Sequence, residues 1–134
     1  MSVLLDTNIV SELSRRRPDP QVLEWAAGVK TVALSAITLE EVLFGLALRR
    51  NSRVERWFET FLETGCHLVE LSVPIAKHAG LLRGQLAARG RVRAQADMLI
   101  AATAVVHGFT LATRNERDFE DCGVSVVNPF TRAS

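Results

Sequence analysis

Cysteine is scarce: Cys66 and Cys122 stand far apart in unrelated contexts. That excludes a disulfide-stapled scaffold and leaves two thiols suited to a reducing compartment. No stretch of about 18 apolar residues occurs, so no membrane-spanning helix is expected. The opening residues, Met1-Ser2-Val3-Leu4-Leu5-Asp6, bring neither a basic leader nor a long apolar region. A signal peptide is therefore not expected, and a cytoplasmic protein is. Repeats, linkers and low-complexity segments are absent. The histidines, His67, His78 and His107, share no ligand spacing with one another or with the cysteines, which argues against a zinc site. Lysine is rare as well, and nearly all the positive charge is arginine.

What is present suits one domain, residues 1–134, with 48% hydrophobic residues to build its core. The formal net charge is only +1, but the arginines are grouped. They fall at Arg15 to Arg17, at Arg49, Arg50, Arg53 and Arg56, at Arg89, Arg91 and Arg93, and at Arg114 and Arg117. Guanidinium forks match phosphate oxygens. Ordinary surface arginine accounts for any single cluster equally well.

Short apolar runs alternate with helical patterns. Strands are expected at Val3 to Leu5, Thr31 to Ser35, His67 to Leu71, Phe109 to Thr113 and Val124 to Val127. Helices are expected from Thr7 to Ser14, from Pro20 through Trp25, from Thr38, from Val54 to Leu62, from Pro74 to about Ala88, from Gln95 to His107 and from Glu116 to Asp121. Asp6 or Thr7 is placed to cap the first helix. Thr38 with Glu41 has the spacing of a capping box. Strands alternating with helices imply an α/β fold, a three-layer sandwich with a central parallel sheet of four to five strands and helices on both faces. In such sheets the working groups gather beyond the C-terminal strand ends.

Four acids can reach that end: Asp6 after the first strand, Glu41 early in the helix after the second, Asp97 near the start of an apolar helix, and Asp118 soon after the fourth strand. Asp6 and Asp118 could be helix caps, and Glu41 could complete the capping box. Asp97 is harder to explain, because Ala94, Ala96, Met98, Leu99, Ile100, Ala101 and Ala102 surround it. An unpaired carboxylate there is costly, so it needs a partner. A shared dication is one solution; Arg93 or Arg114 is the other. Carboxylates without histidine or thiolate select a hard ion, Mg2+ or Mn2+.

The blocks Leu5-Asp6-Thr7-Asn8-Ile9-Val10, Ser35-Ala36-Ile37-Thr38-Leu39-Glu40-Glu41-Val42 with Gly45, Asp97-Met98-Leu99-Ile100-Ala101-Ala102-Thr103-Ala104, Thr113-Arg114-Asn115 with Asp118-Phe119, and Val127-Asn128-Pro129-Phe130 occur in order along nearly the whole chain. Together they resemble the PIN-domain ribonucleases, in particular the VapC/FitB-like toxins of toxin–antitoxin pairs. The resemblance implies Asp6, Glu41, Asp97 and Asp118 as catalytic metal ligands. Glu40 lies beside Glu41, and the spacing to Gly45 favours Glu41. Asn115 is an amide where the family acid can fall, which leaves Asp118 as the fourth ligand. Thr7, Asn8, Thr113 and Asn115 would support these acids, and Arg93 and Arg114 would meet the substrate.

The activity implied is a metal-dependent endoribonuclease, hydrolysing tRNA or another structured RNA to leave a 5′-phosphate and a 3′-hydroxyl. The partners implied are a VapB-like or FitA-like antitoxin, RNA, and a second copy in a homodimer, with DNA reached only through the antitoxin and no membrane. The helices around Trp25, Val42 to Leu48 and Trp57 to Phe61 are the expected antitoxin groove or dimer face, with core packing as the simpler role for each aromatic. Phosphatases and Toprim domains want an Asp-x-Asp pair, and a receiver domain wants paired acids; neither pattern is present. The alternative from another class is a non-catalytic module that binds the antitoxin or RNA, its acids serving as caps or arginine partners.

Overall fold

The computed structural model describes residues 2–131; residues 1 and 132–134, the ends of the expected domain, lie outside the described residues. In chain order the elements are β1 (Ser2–Leu5), α1 (Thr7–Leu13), α2 (Pro20–Ala27), β2 (Thr31–Ser35), α3 (Ala36–Leu48) and α4 (Ser52–Thr60), which runs into a π-helical turn at Phe61–Gly65. Then come β3 (His67–Val69), α5 (Val73–Ala88), α6 (Gln95–His107), β4 (Thr110–Ala112), a 3-10 turn at Glu116–Phe119 and β5 (Val126–Val127).

The strands are all parallel, in the order β3-β2-β1-β4-β5. Alternation along the strands divides the core in two. Leu4, opposite Ala33 and Leu111, packs with Ile75 of α5 and with Met98 and Ile100 of α6. Val3, Leu5, Leu34 and Ala112 face the other way, onto Ile9 and Val10 of α1, Trp25 of α2 and Phe58 of α4. This is the expected three-layer α/β sandwich. Trp25 is therefore core, not a free groove residue. Truncating a fully buried side chain such as Leu111 to alanine costs ~2–5 kcal/mol.

Local chemistry sets the ends of the elements. Ser72 Oγ accepts from the Ile75 N–H, and Pro74 lies in the first turn of α5. Gly108 closes α6 at φ 73, a left-handed backbone that a side chain would oppose. The start of α3 differs from expectation. Ser35, not Thr38, is its cap: Ser35 Oγ accepts from the Thr38 N–H at 3.0 Å, and Thr38 is buried one turn inside. The extended Ser35 backbone ends β2 and opens α3 without a loop, so the capping hydroxyl comes three residues earlier than the sequence spacing suggested. Glu41 is thereby released from capping. The outer strands are also shorter than expected, β3 ending at Val69 and β5 keeping only Val126 and Val127.

From β1 the chain passes to β2 and β3 on one side, then returns through α5 and α6 to β4 on the other. The β1–β4 boundary is thus the topological switch point, where a parallel sheet opens a crevice beyond its C-terminal strand ends. The main chain stays paired into that crevice: the Asp6 N–H donates to the Ala112 carbonyl at 2.9 Å and the Thr113 N–H to Val127 at 3.0 Å.

Candidate active site

Asp6 and Thr113 are the first residues past β1 and β4, so the switch point itself sets them side by side. Thr113 Oγ1 donates to Asp6 Oδ2 at 2.8 Å, deep enough that Asp6 is only 5% exposed. Asp6 also caps α1. Its Oδ1 accepts from the Thr7 N–H at 2.8 Å, and its Oδ2 accepts from Asn8 Nδ2 at 3.2 Å. Burial raises the Asp6 pKa above the ordinary carboxylate range; the three donors partly oppose that rise, and the charge of Glu41 adds to it.

Thr7 Oγ1 donates to Glu41 Oε1 at 2.6 Å, tying the first turn of α1 to α3 across the crevice. Asn8 bridges the first turn of α1 to the loop after β4: its Nδ2 reaches Thr113 Oγ1 at 3.4 Å, and its Oδ1 accepts from the Arg114 N–H at 3.0 Å. The Asn115 N–H donates to Thr113 Oγ1 at 3.0 Å. Thr7, Asn8, Thr113 and Asn115 thus form one polar net that fixes the Asp6 carboxylate and its neighbours.

Asp97 lies in the first turn of α6, half-buried. No side chain caps that helix, so its first-turn N–H groups stay open. The Asp97 pKa is pushed up to about 6, first by burial and then by the charges of Asp6, Asp118 and Glu41, with Arg93 pulling the other way. The four acids therefore share one electrostatic site, although they come from four separate segments. Asp118 is on the exposed 3-10 turn after β4. Arg93 Nη1 donates to the Asp118 carbonyl at 2.7 Å and approaches Cys122 Sγ at 3.8 Å, so this guanidinium braces the Asp118 turn while lying within the field of Asp97.

The donor set is all oxygen and mutually repelling, which suits a hard divalent cation. Among the described residues, no three carboxylate, imidazole or thiol groups stand together as a ready-made cage. Glu41 is turned to Thr7, and Asp6 is satisfied by three donors.

The second substrate candidate, Arg114, stacks its guanidinium 4.3 Å from the centre of the Phe130 ring. Sequence reasoning gave Phe130 and Asn128 no role. Asn128 is buried and holds both loops: its Nδ2 donates to the Arg114 carbonyl at 3.4 Å and to Glu116 at 3.1 Å, and its Oδ1 accepts from the Phe130 N–H at 3.0 Å. The Asn-Pro-Phe turn after the last strand was the available signal. Buried Glu12 was also missed; it holds the loop after α1 through the Asp19 N–H at 2.7 Å.

A model of the PIN domain matches residues 3–124. The VapC ribonuclease Y4jK of Sinorhizobium fredii is 37% identical, over 98% of this chain and 99% of the relative. Toxin FitB of Neisseria gonorrhoeae is 34% identical, over 96% of this chain and 98% of the relative. A solved structure of FitAB bound to an IR36 DNA fragment superposes with a TM-score of 0.84 at 32% identity, over 98% of each chain. With the parallel sheet, the acids at its switch point and these likenesses in hand, the chain belongs to the PIN domain family.

Proposed function

We propose that the chain is a cytoplasmic metal-dependent endoribonuclease, the toxin of a type II toxin–antitoxin pair, acting on tRNA or another structured RNA. The observation that carries this reading is the convergence of four carboxylates from separate segments beyond the C-terminal strand ends, where half-buried Asp97 lies in the field of Asp6, Asp118 and Glu41. Asp6, Glu41, Asp97 and Asp118 would hold Mg2+ or Mn2+. When bound, such an ion activates water at neutral pH and offsets charge on a phosphodiester.

The chain's own residues set the conditions for that chemistry. Thr113, Asn8 and the Thr7 N–H keep Asp6 in place by donating to it. Thr7 holds Glu41 toward α1. Arg93 offsets part of the repulsion on Asp97 while bracing the Asp118 turn. Arg114 is exposed at the rim, one residue from Thr113.

A partner fits the same reading. A cavity of about 200 Å³ opens between α1, α3 and α4, lined by Val10, Val42, Leu46, Trp57 and Phe58, and it reaches Thr7 and Glu41. Leu43, Phe44 and Leu48 are exposed on α3. An antitoxin segment in this groove, with an arginine extended to the acids, would block the site; DNA would be reached only through that antitoxin. A homodimer completes the proposed assembly.

Cleavage of cellular RNA with Mg2+ or Mn2+, with and without EDTA, beside Asp6→Asn and Asp97→Asn, tests the reading. Cleavage lost in EDTA and in both variants supports it. Activity surviving both substitutions sinks the metal mechanism, and RNA bound but never cut by the wild type favours the non-catalytic module.

A further inference from the structure

One side chain, Asn8, away from Asp6, a second cleft of about 390 Å³ is lined by Arg15, Arg17, Arg114 and Phe130 together with Glu12 and Asp19. The two acids are already engaged. Glu12 accepts from the Asp19 N–H and from Arg15 Nη1 at 3.3 Å, and Asp19 caps α2 through the Gln21 N–H at 2.8 Å. Arg17 and Arg114 are exposed to the cleft mouth.

This cleft is built rather than incidental. A buried carboxylate, Glu12, sets the Arg15–Asp19 loop on one wall. A buried amide, Asn128, fixes both members of the Arg114–Phe130 stack on the other. The Arg114 N–H is held by Asn8, which also donates to Asp6, so one side chain links cleft and acids. Guanidinium groups meet phosphate by charge and by fork geometry. A guanidinium held over an aromatic ring, as Arg114 is over Phe130, gives an unpaired base both a cation and a π-face to pack against. An acidic peptide would use the charges but leave the π-face unused.

We infer that this cleft is the RNA-docking subsite of the carboxylate site: Arg15 and Arg17 take a backbone phosphate, and the Arg114–Phe130 stack takes an unpaired base. The assignment rests on the nuclease reading and adds where, and in what form, RNA lies against the site. A single-stranded or splayed-out segment is required there, because a base paired in a helix has no free face to stack.

The test is binding of a short fluorescein-labelled single-stranded RNA in EDTA across a salt series, together with KM and kcat for its cleavage in Mg2+. Arg114→Ala is expected to weaken binding and raise KM about 10-fold, the worth of one base stack, with little change in kcat. Arg114→Lys is expected to keep the salt dependence of the wild type yet lose the stacking affinity. Arg17→Ala is expected to lower the slope of log K against log salt by about 0.7, the value of one phosphate contact on a single strand. Lys30→Ala removes the same charge just before β2, at the opposite end of the sheet, and is expected to bind as the wild type.

A wild type that cuts RNA, with Arg17→Ala and Arg114→Ala indistinguishable from Lys30→Ala, overturns this inference and leaves the nuclease reading standing. A wild type that neither binds nor cuts RNA overturns both. Arg17 is exposed, so its arm of the test remains decisive even if Arg114→Ala disturbs the loop it sits in.

Discussion

Asp97 is an ionisable group that folding disfavours. Its folded pKa of about 6 exceeds the 3.8 of an unperturbed aspartate, so the fold binds a proton more tightly than the unfolded chain does. Below 3.8 the group is neutral in both states and costs nothing. As pH rises toward 6 the cost grows, and above 6 it is complete. Urea unfolding of the metal-free protein should therefore show stability falling through that window, with Asp6 acting in the same direction. Asp97→Asn should flatten the loss and raise stability at pH 7.5 by about 1–2 kcal/mol, after discounting for the carboxylate's partial exposure. Equal pH profiles for the two proteins would contradict the burial and charge account. Thr113→Val keeps the shape of the side chain but removes the donor to Asp6 and the acceptor for the Asn115 N–H. Divalent-ion affinity, measured by calorimetry, is expected to fall ~10–100-fold.

At the scale of the element, α3 does two separate jobs at its N-terminus. Ser35 caps the helix and Glu41 faces the crevice through Thr7. Ser35→Ala should cost about 1 kcal/mol in a denaturant midpoint. Glu41→Gln should leave stability within about 0.5 kcal/mol, since an amide oxygen still accepts from Thr7, while RNA cleavage falls. The reverse pattern would restore Glu41 to capping. The sequence read this helix correctly but placed its cap wrongly, because Thr-x-x-Glu is a local signal and β2 entering α3 without a loop is not. The π-helical turn after α4 was equally hidden, since the aromatic spacing of Trp57, Phe58 and Phe61 continues across it.

At the scale of the molecule, apolar strands alternating with helices were enough to specify a parallel three-layer sheet. The acids at strand ends and helix starts were enough to bring Asp6, Glu41, Asp97 and Asp118 to one end of it. What local sequence could not carry was long-range pairing. The Thr7–Glu41 bond, the Asn8–Arg114 bond and the Arg114–Phe130 stack each join residues that meet only after folding. The order β3-β2-β1-β4-β5 decides those meetings, because it lays the segments that follow β2, β1, β4 and β5 side by side. The same convergence of charge means an ion bound at the site should stabilise the whole fold by linkage. The most direct test of the account is a Mn2+ titration of the wild type and Asp97→Asn, by electron paramagnetic resonance, alongside RNA cleavage at the same ion concentrations. The account predicts that the wild type binds Mn2+ and cuts RNA over one common concentration range, and that Asp97→Asn loses both together. Equal Mn2+ binding by the two proteins, or full cleavage by Asp97→Asn, would contradict it.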